Sequence, residues 1–225
     1  MTDSYTPTAR SRIKRLPKRA SYDYKTVYEI LDAGLLAHVG YVINNEPYVT
    51  PTCYWREENK LYWHGSSASR MLRTMADGVR ACVTVSHMDG LVLARSAFHH
   101  SMNYRSVMAY GTAYAVTDTA QVSAGLEAFM ERLAPGRWHE ARRPSVQELK
   151  ATLVVEMEII EAAAKIRTGP PIDDDDDYAL PVWAGVIPLT LTSGAPLPDP
   201  RLDAKTPIPN GLKDWKLNKN SLYKK

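Results

Sequence analysis

Three segments in a row, 35–42, 48–55 and 60–64, read as strands, and only the turn signals Asn44-Asn45 and Glu57-Glu58-Asn59 separate them. Further strands are expected at 80–86, 91–98, 105–116 and 152–166. Gly111 marks a candidate bulge in the third of these. The last alternates through Leu153, Val155, Met157 and Ile159 despite its alanines. Helical spacing appears at 24–33, where Val27, Ile30 and Leu31 share a face and Gly34 stands at the C-cap position. It returns at 67–75, stopped by Gly78, and at 120–133. At 145–150, Ser145 and Glu148 have the capping-box spacing. Strands that follow one another, instead of alternating with helices, argue for a mainly β chain: an antiparallel barrel with accessory helices, not a doubly wound sheet.

Both ends depart from this pattern. Residues 1–23 carry Arg10, Arg12, Lys14, Arg15, Lys18 and Arg19 with Pro7 and Pro17 and show no hydrophobic period. They read as a basic arm lying across the body or a partner subunit, or simply solvated. Residues 24–169 form the barrel domain. Residues 170–225 are proline-rich and begin with five aspartates, Asp173–Asp177, expected to stay solvated and mobile. This extension can hug a surface but is not expected to supply a core element. Trp183, in an apolar Pro-Val-Trp-Ala-Gly-Val stretch, should pack on the barrel or partner.

Composition removes several classes. In 225 residues no run approaches the roughly 18 apolar residues of a membrane span. No apolar stretch follows the N-terminal charges, so a secretory signal is not expected and the cytoplasm is the expected compartment. Cys53 and Cys82 are too few for a disulfide scaffold or a cysteine-rich zinc site. A net charge of +3 gives no reason to expect nucleic acid, although a pI near 8.7 admits anionic ligands. Gly-rich phosphate loops, H-E-x-x-H and G-x-S-x-G are all missing.

Three clusters could carry chemistry. From His64 to Arg73 a strand runs into a hydroxyl-rich turn and a helix start. Amides, Ser66, Ser69 and Arg70 could hold a phosphate there, or the turn could be an ordinary N-cap with a surface arginine. From Ser96 to Ser106 lie His99 and His100. Adjacent strand histidines face opposite ways, and a metal site would want a carboxylate nearby, so hydrogen-bonded loop histidines are preferred and no metal is assigned. Arg105 and Ser106 either add an anion contact or place an arginine against a carboxylate at the sheet edge. In the third cluster, Val49-Thr50-Pro51-Thr52-Cys53, Pro51 cannot donate to a ladder, so the strand is an edge or is bulged and leaves backbone free for a ligand. Cys53 has no marked histidine partner and reads as a packing residue.

Taken in order, these segments resemble the FMN-binding split-barrel superfamily of pyridoxamine 5′-phosphate oxidase-like proteins, nearest the nitroimidazole-resistance branch. The resemblance runs through residues 15–20, Pro-Tyr-Val-Thr-Pro at 47–51, Leu-Tyr-Trp-His-Gly at 61–65, Asn-Tyr-Arg-Ser-Val at 103–107, residues 165–171 and residues 181–189. It implies a six-stranded, Greek-key-like split barrel that forms a homodimer with FMN at the subunit interface. It places Val49, Thr50, Pro51, Thr52 and Cys53 against the flavin ring. His64, Ser66, Ser69, Arg70 and Met71 would lie at the phosphate and ribityl chain, with Tyr104, Arg105, Ser106 and Trp183 as further contacts. Met71 stands where the oxidases carry lysine, which argues against pyridoxamine phosphate as substrate. His64 becomes the candidate proton donor, or a histidine that only hydrogen-bonds the FMN phosphate. The function so implied is an FMN-dependent oxidoreductase acting on a small planar electrophile, nitroaromatic or quinone-like. The alternative is a non-catalytic flavin- or haem-binding protein. Interaction with nucleic acid or protein through the arm is the weakest reading.

Overall fold

A computed structural model describes residues 3–213 and 215. Strand β1 (Ala20–Ser21) precedes helix α1 (Tyr24–Ala33). Then come β2 (Leu36–Ile43), β3 (Glu46–Glu57), β4 (Lys60–Ser66), helix α2 (Arg70–Ala76), β5 (Val79–Leu93) and β6 (Ser101–Ala115). Helices α3 (Thr119–Leu133), α4 (Arg137–Glu140) and α5 (Val146–Lys150) follow, and β7 (Thr152–Glu158), β8 (Glu161–Arg167), β9 (Gly185–Pro188) and α6 (Asn210–Lys213) complete the order. Every strand pairing is antiparallel. The ring β2-β3-β4-β7-β6-β5 closes because β6 pairs with β5 along one edge and, through 113–115, with β7 along the other. Residues 104–110 of that second edge pair with β8 instead.

Two apolar layers hold the ring. Val39, Tyr54, Leu61, Trp63, Val83, Val107 and Met157 fill its interior, closed by Val27, Ile30 and Leu31 of α1 and Met71, Leu72 and Met75 of α2. Each such side chain contributes about 1.5–3 kcal/mol of burial. A second cluster lies outside, where Val122, Leu126 and Phe129 of α3 and Trp138 cover Trp55 and Val154. Tyr54 and Trp55 are both buried although adjacent, because they point to opposite faces of β3, one into each layer. No described helix is long and apolar enough to cross a membrane.

Several expectations change. The strands expected at 80–86 and 91–98 are one, β5, with a register irregularity between Met88 and Gly90; residues 97–99 form a 3-10 turn. The strand expected at 152–166 is divided into β7 and β8, which follow each other along the same edge of β6, both antiparallel to it. The alternation runs through the interruption at 159–160, where the amides of Ile159 and Ile160 reach the carbonyls of Asn59 and Tyr110. Gly111 is no bulge: it pairs regularly with Ala81, and a Cβ there would collide with the carbonyl oxygen of Glu158 and come within 2.7 Å of Met157 Cγ.

The proline-rich extension does enter the sheet, since β9 pairs with Gly90–Leu93 of β5. Asp173 is not solvated. It is 6% exposed, and its carboxylate accepts from the amides of Arg95 and Ser96. Trp183, in contrast, is 66% exposed in the single chain, its ring against Gly185. The basic arm lies across the body. Tyr5 is buried and donates to Asn59 Oδ1 (2.6 Å), while Arg10 pairs with Glu161.

Candidate cofactor site

The barrel is open along one seam. Strand β3 pairs with β2 through residues 46–53 and with β4 only through 54–57. Strand β4 in turn continues to Ser66 paired with β7. Among the described residues, the β4-facing edge of 46–53 and the β3-facing edge of 64–66 therefore lack a strand partner. The backbone donors and acceptors on that edge of β3 are the kind a flat polar ring can use. Pro51 is tolerated here because it sits on a half-open strand.

The turn that ends β4 carries the positive charge. Ser69 is the N-cap of α2 yet makes no capping bond with its side chain, and Ser66 Oγ accepts from the Ala68 amide (3.2 Å). Arg70 is exposed and lies over the Tyr48 ring, 4.7 Å from its centroid. Arg73, one turn on, donates from Nε to the Ser67 carbonyl (2.8 Å). Among the described residues no carboxylate pairs with either arginine, although most other arginines near the body are matched, such as Arg10, Arg56, Arg95 and Arg105. A hydroxyl-lined turn with two uncompensated guanidinium groups fits a phosphate ester. Met71 does not share in it through its side chain, which is 7% exposed and packed in the barrel core.

His64 shares a pleat face with Tyr62 and Ser66, opposite Trp63. Its ring stands edge-on to Phe129, 4.6 Å between centroids, and tilted against Trp55 at 6.0 Å. Nδ1 is buried without a hydrogen-bond partner. Burial pushes the imidazole below the ordinary histidine range. The ring is thus held neutral, the form that donates a lone pair to a metal.

The remaining sequence candidates divide by pleat. Val49, Pro51 and Cys53 point outward on β3. Register carries the same outward face across His38 and Thr84 to Met108, so Tyr104 and Ser106 of β6 belong to it as well. Ser106 Oγ donates to the Lys165 carbonyl (3.3 Å). Thr50 and Thr52 point the other way, Thr50 sharing a hydrogen bond with the Tyr41 hydroxyl (3.1 Å).

Arg105 faces inward and takes the second of its two readings, a buried bidentate pair with Asp89: Nε to Oδ2 at 3.0 Å and Nη2 to Oδ1 at 2.8 Å. Trp183 stands beside β5, at the end of the sheet order away from β4. The structure therefore brings β3, β4 and α2 together at the seam. In one chain it leaves 104–106 and Trp183 elsewhere. Sequence reading underused Arg73 and Tyr48. Arg73 had a signal, its i+3 spacing from Arg70.

Comparison with known proteins follows the same lines. The family model described as pyridoxamine 5′-phosphate oxidase matches residues 23–166. No curated protein matches. Among solved structures, the flavocytochrome Anf3 from Azotobacter vinelandii is 46% identical over 92% of this chain and 97% of its own, with a TM-score of 0.87. The FAD and haem binding protein from Mycobacterium smegmatis is 37% identical over 88% and 98%, with a TM-score of 0.84. A candidate 5-nitroimidazole antibiotic resistance protein from Bacteroides thetaiotaomicron is 20% identical over 65% and 86%, with a TM-score of 0.54, a likeness of fold. The match over 23–166 spans the whole closed ring and the seam, and on it the chain belongs to the pyridoxamine 5′-phosphate oxidase family.

Proposed function

We propose that this chain is a flavin-dependent oxidoreductase that also holds haem, a flavocytochrome working as a homodimer. The observation that carries this is the near full-length likeness, at 46% and 37% identity, to two proteins named for those cofactors. The chain's own residues fit both groups. The Ser66–Arg70 turn, with Arg73, binds the flavin phosphate, and the half-open edge of β3 at 49–53 orients the ring. The relative named for FAD favours the dinucleotide over the FMN that the sequence implied. His64, neutral and with Nδ1 unpartnered, supplies the imidazole for haem iron in place of the proton-donor role read from the sequence. A bound flavin would supply hydride and single-electron chemistry, and haem single-electron chemistry.

The homodimer reading has a physical reason. The outward face that carries Val49, Pro51, Cys53, Tyr104 and Ser106 also exposes Leu36, Met88, Met102 and Met108, and Val49 is 67% exposed. A second copy seated there covers this apolar surface. It also brings one chain's 104–106 toward the other's seam, which a single chain cannot do. The acceptor in this reading is a small planar electrophile, nitroaromatic or quinone-like, admitted along the outward face beside Cys53.

The test is the spectrum and mass of the cofactors released from protein made in cells supplied with a haem precursor. Flavin bands with a Soret band, and FAD in the released fraction, are expected. His64→Ala should lose the Soret band and keep the flavin. Flavin without haem in the wild type would reduce the proposal to a simple flavoprotein. Neither cofactor would overturn it.

A further inference from the structure

The histidine pair at 99–100 is absorbed by none of this. In the sequence the two histidines are expected to face opposite ways, with neither a carboxylate nor a further histidine near them to complete a metal site. The fold supplies two carboxylates, from about 75 residues further along the chain. We propose that His99, Asp174 and Asp177 form a binding site for a zinc-type divalent cation that fastens the C-terminal extension to the barrel.

His99 ends the 3-10 turn Ala97–His99, and Asp177 lies in the 3-10 turn Asp175–Ala179, with Asp174 as its N-cap. One donor atom from each of the three residues lies within 4.8 Å of the other two. His99 Nε2 is 3.2 Å from Asp174 Oδ2. With metal–ligand bonds of about 2.1 Å, that separation subtends an angle of about 100° at an ion, between the octahedral and tetrahedral values. A tetrahedral edge at that bond length is about 3.4 Å, so closing any of the three pairs takes at most about 1.4 Å, within reach of rotation of a partly exposed carboxylate. One imidazole nitrogen and two carboxylates suit zinc or manganese better than calcium, which prefers an all-oxygen shell of higher number.

A plain ion pair would explain His99 with Asp174 but not the second carboxylate. Among the described residues no lysine or arginine pairs with Asp174, Asp175, Asp176 or Asp177. Arg95 is already engaged by Asp173 (Nη1 to Oδ2, 3.2 Å) and lies over Tyr178. Asp173 matters in another way. Its carboxylate accepts from the Arg95 and Ser96 amides, with the side chain fully shielded, and this fixes the two turns relative to each other before any ion arrives. An ion at His99 would then complete a two-point attachment just ahead of Trp183 and β9.

The experiment is calorimetric titration of chelator-treated holoprotein with zinc, repeated on three variants. One saturable equivalent per chain is expected. His99→Ala and Asp177→Asn should each weaken it roughly tenfold or more, while Asp175→Asn, which removes the same charge outside the donor set, should leave it within about twofold. Zinc should also slow proteolysis between 178 and 184 in the wild type and not in His99→Ala. Flavin content and melting temperature of each variant check that the fold is kept. No saturable equivalent, indifference to His99→Ala, or equal losses for Asp175→Asn and Asp177→Asn would each overturn the site and leave only a diffuse acidic surface.

Discussion

Arg70→Ala isolates the phosphate cradle. The substitution is mild for the fold, because α2 is anchored through Met71, Leu72 and Met75 and Arg70 is exposed. Arginine and alanine are both good helix formers, so the expected stability loss is only that of an exposed cation–π contact with Tyr48, about 0.5–1 kcal/mol. Binding should suffer more. A hydrogen bond to a charged group contributes about 1.5–3 kcal/mol, which is about ten- to hundredfold in Kd for a flavin that carries phosphate. Arg73 keeps the loss from being total, since its Nε contact with the Ser67 carbonyl holds it at the same turn. Riboflavin lacks the phosphate and should lose almost nothing. Fluorescence-quenching titrations of FMN, FAD and riboflavin against wild type and Arg70→Ala separate the cases. Equal weakening for riboflavin and FMN, or no weakening of either, would refute the cradle and return Arg70 to a surface arginine beside a helix cap.

Three other outcomes follow from the packing. Gly111→Ala must push its methyl against the Glu158 carbonyl, where backbone cannot yield cheaply, so urea unfolding should show a loss of about 1–3 kcal/mol. Asp89→Asn removes the carboxylate from the buried pair with Arg105 and should cost about 3 kcal/mol, seen as a Tm drop on the order of 10 °C; a change under 2 °C in the first scan would mean that the pair is not buried in solution. Burial holds His64 and His87 below the ordinary histidine range, so the folded state resists the protons that the unfolded chain accepts near pH 6.5. Stability should therefore fall as pH drops from about 6.5 toward the folded values, and a His64→Gln, His87→Gln variant should show a flatter decline between pH 7.5 and 5.5.

What the sequence disclosed, it disclosed through local signals. Tyr24–Ala33 is the helix the spacing predicts, with Asp23 accepting from the Thr26 amide at its start. The capping box at Ser145 and Glu148 is present in full. The failures share a cause: they turn on partners distant in sequence. The break between β7 and β8 is set by carbonyls of Asn59 and Tyr110, and no residue at 159–160 is a turn former. Gly111 is fixed by the backbone of β7, not by its own strand. Asp173 looks like one of five equivalent aspartates, and only the amides at 95–96 single it out. At the site, residue types and turn were readable, but pleat direction was not. Arg105 and Met71 sit beside candidates on the outward face or the exposed turn and themselves face the core.

Strand pairing also explains why this barrel has an open seam. A strand in a closed ring must pair on both edges along its length, and β3 does so nowhere: its β2 pairing ends at Cys53, where its β4 pairing begins at Tyr54. The changeover falls at the Tyr54-Trp55 pair, which plugs the barrel interior on one side and the α3 layer on the other. Both halves of β3 are thus pinned by burial while the edge at 46–53 stays unpaired. Residues 60–63 of β4 pair with β3 on one edge and with β7 on the other, and the β7 ladder alone continues to Ser66, so β4 stays held while its β3-facing edge runs free at 64–66. The opening therefore lies between two strands that are each held on their other edge, β3 by β2 and β4 by β7. The turn proposed to bind phosphate, at the end of β4, stands at the mouth of this opening.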